Sequence, residues 1–121
     1  MTQLYVRELL RGVVEPLLLF IISMLPMHGY QIAKELDVRS HGYFKFSGST
    51  IYSALRRLES EGLVLSSWEQ VARKQGRRYY KITGKGRQIL AERLAELQRF
   101  YHATGRIMND VNLISGTGAR E

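Results

Sequence analysis

Residues 49–64 of this 121-residue chain, STIYSALRRLESEGLV, carry the clearest structural pattern in the sequence. The apolar residues Ile51, Leu55 and Leu58 of this stretch follow steps of four and three, which predicts a helix over residues 49–62 with one buried face. The residues that suit its two ends are Ser47 or Ser49 as the N-cap and Gly62 at the C-terminus. The opposite face is polar and carries Thr50, Ser53, Arg56 and Arg57.

A β-hairpin is predicted directly after this helix. One strand covers Leu63–Glu69 and the other Arg78–Thr83, where Tyr80 and Ile82 share one face. The link between them, Gln70–Arg77, is basic and contains a glycine. A polar-faced helix followed at once by a basic hairpin indicates a winged helix.

Three further helices are predicted before residue 49. The first is short and covers residues 3–11, and the second begins at Glu15-Pro16 and ends near Leu25. The second is apolar nearly all round, so we expect it at the centre of the core. The third covers His28–Val38 and is expected to bury Tyr30, Ile32, Ala33 and Leu36. A loop over residues 39–48 follows, with the aromatic residues Tyr43, Phe44 and Phe46.

A last helix is predicted from Gly84 to about Asp110, with Thr83 as its cap. Its apolar positions alternate in steps of four and three, interrupted only by a threonine, as in a helix that pairs with another helix. They are Leu90, Leu94, Leu97, Tyr101, Thr104, Met108 and Val111. We expect this seam to pair two copies of the chain; packing against the chain's own core is the alternative. Residues 112–121 are expected to form a flexible tail.

Together these segments predict a mainly α fold with a small β-hairpin. Residues 1–83 form an N-terminal helix and a winged helix-turn-helix, and residues 84–111 form a dimerisation helix. The chain has no cysteine, which excludes disulfides and thiolate metal sites and fits a cytoplasmic protein. Its most apolar run, Leu17–Leu25, is nine residues long, whereas a membrane span needs about 20. No signal-peptide pattern is evident either.

The charge of the chain is positive and unevenly distributed. The formal net charge is +7, and the segment from Gln70 to Arg87 holds seven cations and no acid. Such a concentration favours a polyanionic partner, nucleic acid before anionic membrane. A merely solubilising basic surface is the alternative.

Helix 49–62 fits the major groove of DNA, which admits one α-helix. The short side chains at its start permit close approach, and Arg56 and Arg57 can reach phosphates or a guanine edge. Tyr52 either donates to a phosphate or packs against the protein. The hairpin cations would lie along the DNA backbone or in the minor groove and add sequence-independent attraction. These cations are Arg73, Lys74, Arg77 and Arg78.

Three stretches resemble the PadR family of transcriptional regulators, particularly its short subfamily with one C-terminal helix. They are EPLLLFIISMLPMHGYQIAKEL (Glu15–Leu36), STIYSALRRLESEGLV (Ser49–Val64) and GRRYYKITGKGRQIL (Gly76–Leu90). The resemblance implies a winged-helix domain, repression of nearby promoters, and dimerisation through the first and last helices. Leu4 and Leu9 would then join Leu90, Leu94, Leu97, Tyr101 and Met108 in the dimer interface.

The resemblance also implies where DNA and effector bind. The implied DNA contacts are Ser49, Thr50, Tyr52, Ser53, Arg56, Arg57, Lys74, Gly76, Arg77 and Arg78. Many members have a proline where this chain has Ser53. Some short members stack flat aromatic drugs on a tryptophan of the last helix, at a position where this chain has Leu97. Phe100 and Tyr101 can provide a substitute wall, but we favour ordinary interface packing for them.

No catalytic or metal site is indicated. The three histidines, His28, His41 and His102, lack metal-ligand spacing, and we expect His28 to pack or cap near a helix start. Glu59 and Glu61 belong to a solvated helix face and do not form an acid–base pair. The chain is therefore predicted not to be an enzyme and to need no cofactor.

Two further features have structural interpretations. Gly84-Lys85-Gly86 lacks the rest of a phosphate-binding loop, so these residues are expected to open the last helix. Trp68 falls in the first strand of the hairpin, where we favour core packing over ligand stacking.

The prediction is therefore a homodimeric, sequence-specific regulator of double-stranded DNA. It would bind a pseudo-palindromic operator and act as a repressor that a small-molecule effector releases. The alternative is a winged-helix interaction module that binds protein or RNA. Binding to a membrane surface is disfavoured because no basic amphipathic helix is evident.

Overall fold

A computed structural model describes residues 12–71 and 74–109 of the chain. The elements in chain order are α1 (Val14–Met24), β1 (Met27–His28), α2 (Gly29–Arg39), α3 (Gly48–Ser60), β2 (Val64–Val71), β3 (Lys74–Ile82) and α4 (Gly84–Met108). The predicted class is confirmed, since helices dominate and one small antiparallel sheet is added in the order β1–β3–β2. The predicted first helix, with Leu4 and Leu9, lies outside the described residues, as do Arg73, Val111 and the tail.

The core lies among α1, α2, α3 and the sheet. α1 is central, as its apolar sequence predicts, although Phe20 at 41% exposure and Leu25 at 52% are not covered. On α3 the predicted stripe is buried. The side chains with no measurable exposure are Leu18, Leu19, Ile32, Ile51, Leu55, Leu58 and Val64. Burial of large aliphatic side chains stabilises the fold by roughly 1.5–3 kcal/mol each.

The helix α2 begins directly after His28, which is its N-cap. The side chains that α2 buries, Ile32 and Leu36, are one turn apart on the same face. The prediction that Tyr30 is buried is wrong, because its side chain is 70% exposed. Two residues before Ile32 correspond to a rotation of about 200° around the helix, which places Tyr30 on the opposite face. Ala33 is only half-buried.

The hairpin is longer than predicted. Most of the expected link, Gln70–Arg77, belongs to the two strands, and the pairing of β2 with β3 continues to Val71 opposite Lys74. The register shifts between Glu69 and Val71, which marks an irregularity near the tip. As predicted, Tyr80 and Ile82 turn inward, at 5% and 9% exposure.

Two features of the sheet differ from the predictions. Trp68 does not pack in the core: its side chain is 66% exposed. It shares a face with buried Val64 but lies four residues nearer the hairpin tip, where that face lines an open cleft. The short strand β1 was not predicted, because two residues carry no periodicity; Met27 and His28 pair with Tyr80 and Tyr79.

The long helix α4 begins as predicted, with Thr83 Oγ1 accepting from the Gly86 N–H at 2.9 Å. The chain divides into two compact units, Met1–Leu90 and Ala91–Glu121, so the division falls within α4. In the first unit Leu90 is buried. In the second, Phe100 and Tyr101 are strongly exposed, and Leu94 and Leu97 are half-buried. No helix in the described ranges combines the length and apolarity that crossing a bilayer requires.

Candidate nucleic-acid interface

The start of α3 is a compact group of hydroxyl side chains. Ser47 is the N-cap, and its Oγ accepts from the Thr50 N–H at 3.2 Å. The same hydroxyl lies 3.1 Å from Ser49 Oγ and donates to Thr50 Oγ1 at 3.0 Å. Ser49 and Thr50 are exposed and Ser53 is half-buried. Short side chains at an exposed helix N-terminus suit close approach to an anion.

The two arginines of α3 have different surroundings. Arg56 is exposed and lines a cleft between α3 and the sheet. Arg57 Nε donates to Glu15 Oε2 at 2.6 Å, which ties α3 to the first turn of α1. Because Arg57 serves this ion pair within the protomer, we expect Arg56 to contribute more to binding a partner.

Tyr52 packs against the protein, which is one of the two roles that the sequence left open. Its ring lies so close to Gly29 that a Cβ there would fall 2.5 Å from the Tyr52 Cζ and Oη atoms. The side chain nevertheless remains 41% exposed and reaches the cleft. Gly29 therefore permits the close packing, while the phenol stays within reach of a bound molecule.

The hairpin brings two of its arginines to the same cleft. Arg77 and Arg78 are exposed on β3, and Gly76 is half-buried beside them. Lys74 lies at the first position of β3. The cleft has a volume of about 660 Å³ and is open to solvent. Its lining residues are His28, Tyr30, Tyr52, Arg56, Glu59, Trp68, Gly76, Arg77, Arg78 and Tyr80.

A chain of side chains joins α3 to the hairpin across this cleft. Arg78 Nε donates to Ser66 Oγ at 3.0 Å, and Ser66 Oγ donates to Glu59 Oε2 at 2.7 Å. The Arg78 guanidinium also lies over the Trp68 ring, 5.2 Å from its centroid. Glu59 therefore does not belong simply to a solvated face, as the sequence suggested. It connects α3 to the β2–β3 hairpin, which is the wing of the fold, and it orients Arg78 through Ser66.

His28 lies where β1, α2 and the wing meet. As predicted, it caps a helix: its Nδ1 accepts from the Gln31 N–H at 3.2 Å. Tyr79 meets the imidazole edge-on at a centroid distance of 5.4 Å. Burial, together with the neighbouring Arg77 guanidinium, holds the pKa of His28 below its usual value.

The floor of the cleft includes Tyr80. Burial raises the pKa of its phenol; the nearby Arg78 partly opposes this effect, and Glu59 adds to it. The phenol therefore stays protonated at neutral pH. Among residues 12–71 and 74–109 no cluster of side chains could hold a metal ion.

Comparison with known proteins identifies the family. The model of the transcriptional regulator PadR-like family matches residues 18–92. The chain belongs to this family. A transcriptional regulator of Mycobacterium tuberculosis is 36% identical over 86 residues, which are 71% of this chain and 77% of that protein. PadR-like proteins are transcriptional regulators rather than enzymes, which confirms that prediction.

Solved structures of PadR-like proteins have the same fold. A PadR family regulator from Eggerthella lenta is 32% identical, with a TM-score of 0.75 over 88% of this chain and 91% of that one. PadR of Bacillus subtilis, solved in complex with operator DNA, is 23% identical and has a TM-score of 0.63. That comparison covers 68% of this chain and 46% of the Bacillus protein, and it establishes similarity of fold.

The predicted DNA contacts other than Lys74 therefore fall into three groups. The cleft brings together Tyr52, Arg56, Gly76, Arg77 and Arg78. Ser49, Thr50 and Ser53 lie on the N-terminal half of α3, and Arg57 is turned to Glu15. The sequence did not predict that Tyr30, Glu59 and Trp68 line this cleft, or that Ser66 joins Glu59 to Arg78. The places of Ser66 and Trp68 depend on strand pairing, for which the sequence carries no local signal.

Proposed function

We propose that this PadR-like regulator binds double-stranded DNA in a sequence-specific manner, with α3 in the major groove and the β2–β3 hairpin on the backbone. The observation that carries the proposal is the convergence of Arg56 from α3 with Arg77 and Arg78 from β3 on one open cleft. Small hydroxyl side chains at the start of α3 add donors for base edges. The operator complex of the Bacillus subtilis relative supports the same use of the fold.

The direct test is binding to the DNA upstream of the chain's own gene, measured by fluorescence anisotropy at several salt concentrations. Affinity should fall by about 0.9 log units per log unit of salt for each phosphate neutralised. The double variant Arg56→Ala/Arg77→Ala should bind at least about 10-fold more weakly. Arg99→Ala removes an exposed arginine of α4 and is the matched control. Absent or salt-independent binding would refute the proposal and favour a protein or RNA partner.

We further propose that the chain acts as a homodimer on a pseudo-palindromic operator. The support is the row of mainly apolar positions on α4 that recur in steps of four and three (the heptad seam). In a single chain, Tyr101 of this seam is 73% exposed and Met108 is 55% exposed. Large apolar side chains with this spacing are typical of a helix that pairs with another helix. Two linked DNA-binding units recognise two half-sites about one helical turn apart. Sedimentation at micromolar concentration tests the dimer.

Repression in the cytoplasm, with release by a small-molecule effector, is the remaining part of the proposal. It rests on the resemblance to PadR regulators, some of which respond to small molecules. Phe100 and Tyr101 are exposed aromatic side chains on α4 in a single chain. In the proposed dimer Tyr101 belongs to the paired seam, so Phe100 beside it is the candidate contact for such a ligand. Transcription from the upstream promoter, measured with and without the chain, tests repression. Compounds processed by neighbouring gene products, added to the operator complex, test release.

A further inference from the structure

Both ring nitrogens of His28 face hydrogen-bond donors. Nδ1 accepts from the backbone N–H of Gln31 at 3.2 Å, and Nε2 lies 3.1 Å from Arg77 Nη1. A neutral imidazole has one acceptor nitrogen and one N–H, and a guanidinium has no acceptor at all. The ring therefore cannot accept from Gln31 and from Arg77 at the same time.

The helix cap decides which nitrogen accepts. The Gln31 N–H belongs to the first turn of α2 and has no other partner within the helix, whereas Arg77 is an exposed side chain that can move. Burial and the charge of Arg77 both lower the pKa of His28 and keep the ring neutral. With Nδ1 as the acceptor, Nε2 carries the hydrogen. An N–H of His28 and an N–H of Arg77 then face each other with no acceptor between them.

The surroundings of this donor pair suit an anion. Both residues line the cleft to which Arg56 and Arg78 also contribute their charges. The one carboxylate among the lining residues, that of Glu59, accepts from Ser66. Tyr79 packs edge-on against the imidazole, and Tyr30 stacks on it at 6.3 Å. The ring is therefore held in place with its Nε2 edge toward Arg77.

We propose that His28 Nε2–H and the Arg77 guanidinium bind one phosphate of the DNA backbone between them. The inference rests on the proposed DNA binding and adds a residue outside α3 and the hairpin to that interface. A phosphate oxygen accepts from both groups, so the N–H groups of Gln31, His28 and Arg77 all find acceptors in the complex. Arg77 supplies the charge, and His28 supplies a neutral donor whose direction the α2 cap determines.

A double-mutant cycle on the DNA affinity tests this assignment. His28→Ser keeps an N-cap acceptor for α2 but removes the ring donor. It should weaken binding about 10-fold with an unchanged salt dependence, since no charge is lost. Arg77→Ala should reduce the salt slope by about 0.9. In the Arg77→Ala background, His28→Ser should weaken DNA binding by less than about 3-fold, because both groups bind the same phosphate.

The possible outcomes separate this inference from the proposed function. If the unaltered chain does not bind duplex DNA, both are refuted. The inference alone is refuted if the chain binds DNA and Arg56→Ala weakens that binding, but His28→Ser does not change the affinity. It is also refuted if His28→Ser lowers the affinity by the same factor in the unaltered chain and in Arg77→Ala. The coupled loss described above supports it.

Nitrogen NMR of the unaltered chain provides a second test that needs no variant to fold. Long-range ¹H–¹⁵N spectra report which ring nitrogen of a histidine carries the proton. In the complex with the upstream duplex, His28 should carry its proton on Nε2, and the Nε2 resonance should shift when DNA is added. A proton on Nδ1 in the complex, or an Nε2 resonance that DNA does not move, would overturn the assignment.

Discussion

The unit that contains the winged helix, Met1–Leu90 (the winged unit), and the C-terminal part of α4 differ in how far their apolar side chains are buried. Within Met1–Leu90 the core-facing apolar residues of α1 and the apolar stripe of α3 are buried, and even Leu90 is only 7% exposed. In Ala91–Met108 the heptad spacing continues, but Tyr101 and Ile107 are each 73% exposed. Burial of apolar surface is the main stabilising term in folding. The first unit therefore obtains its core from one chain, and we expect the second to require another copy.

The largest effect should come from disrupting the proposed helix pair. Leu94→Glu with Leu97→Glu places two charges in the seam, and monomers should result because buried unpaired charges are costly. Loss of the linked second half-site should weaken operator binding by about 10²–10⁴-fold. Sedimentation and anisotropy measure the two effects. Ala95→Glu with Gln98→Glu, at exposed positions off the seam, is the control. If the Leu94→Glu/Leu97→Glu variant stays dimeric, the C-terminal part of α4 does not need a second copy to cover its seam.

The core of the winged unit should respond to a substitution without any change in assembly. Leu55→Ala removes a side chain with no exposure and should lower the free energy of unfolding by about 2–5 kcal/mol. Chemical denaturation measures this loss. Leu65→Ala, at a position 54% exposed, should change stability by less than about 0.5 kcal/mol. Equal losses at the two sites would mean that the core is not where the structure places it.

A smaller effect is expected from the connection between α3 and the wing. Ser66→Ala removes the hydroxyl that bridges Arg78 to Glu59. We expect a loss of about 1 kcal/mol in the free energy of unfolding, and weaker DNA binding because Arg78 loses its orientation. Ser67→Ala, on the next and exposed residue, is the control. Unaltered DNA affinity in Ser66→Ala would show that the wing arginine is oriented without this chain.

The smallest effect is a pH dependence confined to the winged unit. Because the pKa of His28 is lowered from 6.5 in the folded chain, the unfolded state binds more protons as the pH falls. The stability that the neutral ring contributes is therefore present above about pH 6.5 and is lost as the pH falls toward the folded pKa. Unfolding measured from pH 7.5 to 5.5 should show a smaller decrease for His28→Ser than for the unaltered chain. His102→Ser, which removes a histidine at an exposed position of α4 and leaves His28 in place, is the control.

The sequence predicted the parts of the molecule that depend on local periodicity. Residues spaced by three and four identified α3 and its buried stripe, and Thr83 marked the start of α4. Patterns of this kind repeat within one element, so a single segment contains the whole signal. The charge concentration in residues 70–87 likewise indicates a polyanionic partner without reference to the fold.

The failures at Trp68 and β1 depend on contacts between distant segments, whereas that at Tyr30 follows from the phase of its own helix. Trp68 has the composition of a core residue, but its place near the hairpin tip puts it in the cleft beneath Arg78. β1 is recognisable only through its pairing with β3. Strand pairing is set by the whole sheet, so a two-residue strand has no signature of its own.

Local sequence patterns therefore suffice to identify a basic, mainly helical chain with a groove-sized polar-faced helix and a heptad seam. Which side chains meet depends on how the elements pack. Their packing brings His28 within 3.1 Å of Arg77 across 49 residues of chain, and it connects Glu59 to Arg78 through Ser66. The physical reason is that helix formation follows local spacing, whereas a binding site requires donors and charges from separate elements to converge.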